Sequence, residues 1–109
     1  MARVIQSPSK KYSGSITLPE FLTFPQLDAA ETAFDEAHEL GEVRFTKWRR
    51  AILPGLLACV ERWDLENFPQ PVTVENFPAT PRVEVGEIIN AVLGVVSALV
   101  SGAEVVPPK

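Results

Sequence analysis

Ile88-Ile89-Asn90-Ala91-Val92-Leu93-Gly94-Val95-Val96-Ser97-Ala98-Leu99-Val100-Ser101-Gly102-Ala103 runs for sixteen residues without a charge, near the end of a 109-residue chain of formal net charge -4. With Val85, the apolar positions Ile88, Ile89, Val92, Leu93, Val95, Val96, Leu99 and Val100 recur three and four residues apart. That period predicts a helix over about 82–101, with Thr80-Pro81 to start it and Gly102 to stop it. Its apolar positions cover nearly half the circumference. The remainder is Gly86, Asn90, Gly94, Ser97, Ala98 and Ser101, small enough to let another helix come close. A valine-rich helix is a mediocre one in isolation, because β-branched side chains lose rotamer freedom there, so its stability must come from contacts. A bilayer span needs about 20 predominantly apolar residues, and this run is shorter, contains Asn90 and lacks basic flanks. The reading is therefore a core helix, with no membrane partner and part of its surface left for another chain.

Upstream, the proline-rich stretch 64–81 holds a near-duplication, Glu66-Asn67-Phe68-Pro69 and Glu75-Asn76-Phe77-Pro78, around Val72-Thr73-Val74. Each copy reads as a turn with one buried Phe, and a short strand is predicted at about 72–75. Before it, Phe45, Trp48, Ile52, Leu56, Cys59, Val60 and Trp63 share helical spacing and predict a second helix over about 43–63. Pro54 interrupts that pattern, but it falls opposite the Trp48 stripe, where a bend can leave the freed Arg50 carbonyl in water. Thr23 with Gln26 is a capping box and Pro25 is tolerated in a first turn, so a first helix is predicted over about 24–41, ended by Gly41. Gly14 to Leu18 alternates as a strand, and residues 1–11, polar and basic, read as a mobile arm. The expectation is a mainly α, three-helix domain over 12–109 with one or two short strands.

Length, composition and charge exclude several classes. One domain is expected at this size. The 10 Lys and Arg against 14 Asp and Glu are not pooled into one basic tract, which disfavours nucleic acid as a partner. A single cysteine forms no internal disulfide and no thiolate-rich zinc site, and no signal-peptide pattern opens the chain, so the cytosol is the expected compartment. Charge is nevertheless blocked: acids only from Glu20 to Glu42, then Arg44, Lys47, Arg49 and Arg50, as if the two segments pair.

Little here can do chemistry. Any His-dependent triad must use His38, which lies between the apolar stripe and the acidic arc of the first helix and is expected half-buried against Asp35 or Glu42. Asp35, His38, Glu39 and Glu42 have spacings a divalent metal could use, but hydrated acidic helix faces share them, so no metal is expected. Cys59 lies on the Trp48/Trp63 stripe as a core thiol, and no glycine-rich phosphate loop occurs, so neither a catalytic residue nor a cofactor is expected.

A wider pattern joins these segments. A basic arm, Gly14-Ser15-Ile16-Thr17-Leu18, Leu22-Thr23-Phe24-Pro25-Gln26 opening a helix, the stretch from Leu53-Pro54-Gly55-Leu56 through Glu61-Arg62-Trp63-Asp64-Leu65, and Phe77-Pro78-Ala79-Thr80-Pro81-Arg82 follow one another in order. From about Lys11 onward the chain resembles the small tail assembly chaperones of long-tailed, siphovirus-like bacteriophages and prophages. It departs from their pattern at Pro19-Glu20-Phe21, which bears on where the first helix starts.

The resemblance implies a non-enzymatic protein of the host cytoplasm that associates with the helix-rich tape measure protein and is absent from the mature virion; the apolar excess of the last helix equally suits self-association with a second copy. An apolar groove is how one helix receives another. The last helix then supplies the expected partner-binding residues, Val85, Ile88, Ile89, Val92, Val96 and Leu99, with Trp48 and Trp63 in support. Charged substitutions at Val92 and Val96 are expected to abolish capture and leave the protomer folded. The rival reading is a regulatory or nucleic-acid-associated module using the basic arm and the Arg44 to Arg50 cluster, whose binding falls steeply with salt.

Overall fold

Thr23 closes the first turn of its helix by the reciprocal bonds its sequence predicts. Gln26 N–H donates to Thr23 Oγ1 at 3.3 Å and Thr23 N–H to Gln26 Oε1 at 2.9 Å, and α1 runs Phe24–Leu40 from that cap. Gly41, at φ 66°, ends it and donates its N–H to the His38 carbonyl. The computed structural model describes residues 2–104, with side chains as far as Gly102. Residues 105–109, which the sequence assigns to the helical domain, and Met1 of the arm lie outside the described residues.

Helix α2, Phe45–Cys59, continues through Pro54, which faces water as its wheel position requires. It ends at Cys59, short of the expected residue 63, and Arg62–Leu65 is a strand, β3. Trp63 is apolar on either period, and the sheet settles which one operates: β3 pairs antiparallel with β2, Gly14–Leu18, placing Trp63 opposite Ile16 and Arg62 opposite Thr17. Trp63 and Leu65 then point inward while Arg62 and Asp64 form an ion pair, at 3.2 Å, on the outer face. Gly14 has φ 136°, and a Cβ there stands 2.0 Å from the Asp64 carbonyl oxygen, so only glycine allows β2 to come so close to β3.

The basic arm is not free. Arg3–Gln6 forms β1, which pairs antiparallel with β2 and completes a three-stranded sheet of order β1-β2-β3. The connection back is folded too. Tyr12 N–H donates to Ser9 Oγ, and the buried Tyr12 ring sends its hydroxyl to the Thr80 carbonyl at 2.6 Å. The predicted strand at 72–75 is replaced by a turn. Thr73 and Asn76 exchange backbone and side-chain bonds at 2.7 and 3.1 Å, and Phe77 N–H reaches the Thr73 carbonyl, so local polar side chains satisfy backbone groups a strand needs a neighbour for. Both repeated Phe residues are buried as expected. Phe68 stacks on Trp63 at 5.7 Å, and Phe77 meets both rings edge-on.

Helix α3, Arg82–Glu104, opens with Val85 N–H bonded to the Pro81 carbonyl. By length and composition it could cross a membrane. Its apolar side, however, is the centre of the protein: Val85, Ile88, Ile89, Val92 and Val96 join Ile16, Leu18 and Trp63 of the sheet and Ala30, Leu53 and Leu56 of the helix pair in one cluster. The opposite side shows Glu87, Asn90, Gly94, Ser97, Ala98 and Ser101 to solvent. The architecture is thus three helices with a small antiparallel sheet.

Candidate partner-binding surface

Burial redistributes the residues expected to meet a partner. Val85, Ile88, Ile89, Val92 and Val96 are enclosed within the protomer, which removes them as a docking surface and corrects that expectation. Trp63 lies on β3 rather than on a helix and is enclosed by Phe68 and Phe77. Trp48 is half-buried on α2 beside Phe45, whose ring also carries the Arg82 guanidinium at 5.2 Å. Leu99 is buried as well, at 8% exposure, and reaches only the lining of a cleft, so Trp48 alone of the expected residues is part-exposed.

That cleft, about 290 Å³, lies between the β2–α1 connection and the C-terminal part of α3. Phe21 and Leu22 form one wall, Ala98, Leu99 and Gly102 the other, and Arg3 and Glu20 complete its lining. Phe21 is 76% exposed, and Phe24, in the first turn of α1, is 87% exposed. Two aromatic side chains three residues apart stand in water, Phe21 in the lining of the cleft and Phe24 outside it, and each phenyl forgoes about 1.5–3 kcal/mol of burial. Their exposure follows from local structure. Pro19 ends β2, and the capping box fixes Thr23 and turns the chain at the very point where the two Phe residues flank it. Glu20-Phe21-Leu22 is thus the segment that builds the wall. Helical periodicity could not find it, because Phe21 and Phe24 lie at a turn and at a helix start.

The basic cluster is divided. Arg49 Nη1 donates to the Phe77 carbonyl at 3.4 Å, holding the second proline turn. Arg44 precedes α2 as its N-cap without a side-chain bond to it, and Lys47 and Arg50 face out. None of Arg44, Lys47 or Arg50 pairs with the acids of α1 among the described residues, contrary to the charge blocks.

The residues weighed for chemistry lie apart. His38 is exposed and its side chain bonds neither Asp35 nor Glu42, correcting the half-buried expectation. Among the described residues no three of His, Cys, Asp and Glu come together as a metal site. Cys59 is buried, its Sγ donating to the Gln26 carbonyl at 3.6 Å, and burial pushes the thiol up to about 11. At pH 8 it should therefore react with a disulfide reagent roughly a hundredfold more slowly than in denaturant, and the rate should climb with pH toward about 11. The neutral thiol is the stabilised form, so its contribution to stability is complete below the ordinary value of 9.0 and is lost as pH rises through about 11. Rapid labelling of the native protein at pH 8 contradicts this burial. No protein-family model, curated protein or solved structure matches the chain.

Proposed function

We propose that this protein is a non-enzymatic tail assembly chaperone of a long-tailed bacteriophage or prophage, acting in the host cytoplasm. It holds an amphipathic helical segment of the tape measure protein and leaves no part in the mature virion. The reading is supported by the resemblance that runs from about Lys11 onward, and the observation that carries it is the exposed Phe21 on the wall of the cleft opposite Leu99 and Gly102, with Phe24 exposed three residues along. A helix-rich client needs its apolar stripe covered until tail-tube subunits enclose it, and an aromatic ledge beside an apolar trough receives such a stripe. The polar outer face of α3 then remains in water, with no membrane involved.

The test is capture of the tape measure protein from the same genome by tagged chaperone. Phe21→Ser with Phe24→Ser should weaken capture by about tenfold or more while the circular dichroism spectrum and Tm are kept, because both rings already stand in solvent. Ser97→Asp, on the outer face of α3, should change neither. Undiminished capture by the double variant removes the cleft from the mechanism. If binding instead falls steeply with salt and follows a nucleic acid, the regulatory reading replaces this one.

A further inference from the structure

The α1–α2 hairpin carries a second surface, independent of the aromatic cleft. Along the groove where the C-terminal half of α1 meets the N-terminal half of α2, a depression of about 430 Å³ is lined by Glu36, Leu40, Thr46, Lys47, Arg50 and Ala51. Leu40 is 39% exposed, an apolar centre in an otherwise charged field. On the α2 side stand the cations Lys47 and Arg50. On the α1 side stand Glu36 and, one turn along and also exposed, Glu39, the near edge of an acidic face that continues through Asp35 and Asp28. The two signs sit on neighbouring antiparallel helices and are not paired with each other within the protomer, for Lys47 and Arg50 have no carboxylate partner among the described residues.

We propose that this groove is a two-fold interface that receives a second copy of the same chain. The occupant follows from the arrangement of charge. A two-fold axis lying along the groove, parallel to both helices, lays α1 of each copy over α2 of the other. Glu36 and Glu39 of one protomer then face Lys47 and Arg50 of its partner, twice over, while the two Leu40 side chains meet near the axis. A face with a single sign has no such self-complementarity. The close α1–α2 approach at Gly55 keeps the two stripes in a fixed relation, so the charge pattern is rigid when the copies meet. Because the pairs form at an exposed rim, they set orientation and encounter rate more than strength, and the dimer is weak and salt-sensitive.

The experiment is a charge exchange read by analytical ultracentrifugation at low ionic strength and about 100 µM chain, where a micromolar dimer is populated. The native chain should sediment at twice the protomer mass and shift toward the protomer as salt is raised. Lys47→Glu with Arg50→Glu should be a protomer alone, and Glu36→Lys with Glu39→Lys should be a protomer alone. An equimolar mixture of the two double variants should form a mixed dimer at least as tight as the native one, since all four contacts are then opposite in sign. Circular dichroism checks that both variants fold, as expected for exposed positions. A native chain that stays a protomer, a dimer that survives either double variant, or a mixture that fails to associate each overturns the proposal. So does a dimer abolished by Phe21→Ser, which places the contact at the aromatic cleft instead.

Discussion

Val92→Asp or Val96→Asp is expected to leave the chain unfolded at 25 °C, not folded and blind to its partner. Both valines are 0% exposed. Each substitution forgoes about 1.5–3 kcal/mol of apolar burial and places a carboxylate among apolar core side chains, a further penalty of several kcal/mol whether the group ionises or takes up a proton. A domain of this size holds only about 5–15 kcal/mol in total, so a single such change consumes most of it. The measurement is the far-ultraviolet spectrum with a urea titration: no cooperative transition should remain. Val92→Ala sets the scale, since it deletes volume without adding charge and should leave a folded protein of reduced stability. A Val96→Asp protein with native Tm means that this side of α3 faces solvent, and the architecture described above fails with it.

Gly55→Leu is expected to separate the first two helices, and even Gly55→Ala should lower stability. A Cβ at Gly55 stands 2.6 Å from the Ala33 Cβ, 2.9 Å from the Ala29 carbonyl oxygen and 3.1 Å from the Ala30 Cα. Two of those atoms are backbone of a packed helix, which moves only as a unit. Alanine gains up to about 1 kcal/mol of helix propensity over glycine. Overpacking of a close contact costs about 1–3 kcal/mol, and here the obstruction is mainly main chain, so the steric effect wins. Gly55→Ala should lower the Tm by roughly 4–8 °C for each kcal/mol lost. Combining it with Ala33→Gly removes the nearest clash and should recover part of the loss, a coupling that an unrelated destabilisation does not show. A Gly55→Ala protein more stable than the parent shows that the helices give way more easily than this.

The same crossing shows why some elements are legible in a sequence and others are not. Thr23, Pro25, Gln26 and Gly41 bracket α1 because a helix cap is built from residues within one turn of each other. Pro54 could be placed on the water side because a wheel needs only the helix's own period. The burial of Cys59, Phe68 and Phe77 follows from apolar character at turns and stripes. The strands β1 and β3 carry no comparable local mark. Arg3–Gln6 and Arg62–Leu65 are four residues each, and their backbone groups are satisfied by β2 across the chain. Trp63 fits a helical stripe as well as it fits a strand.

From the sequence by itself came three helices, the cap and stop of α1, the proline on the outer side of α2 and a valine-rich helix that needs cover, although α3 runs on to Glu104 through the Gly102 expected to stop it. The tertiary structure alone decided where that cover comes from. Two helical neighbours looked too few to hide Val85 through Val96, and the missing wall proved to be a sheet assembled from a segment read as a free arm and another read as the end of a helix. Enclosing α3 in this way leaves its apolar face with no room for a partner and shifts the exposed apolar surface to Phe21 and Phe24, at the turn where the sheet hands over to α1. The physical reason is one of range. A helix closes its hydrogen bonds within four residues and can be read from its neighbours in sequence, whereas a strand, and the burial it confers, exists only once distant segments have met.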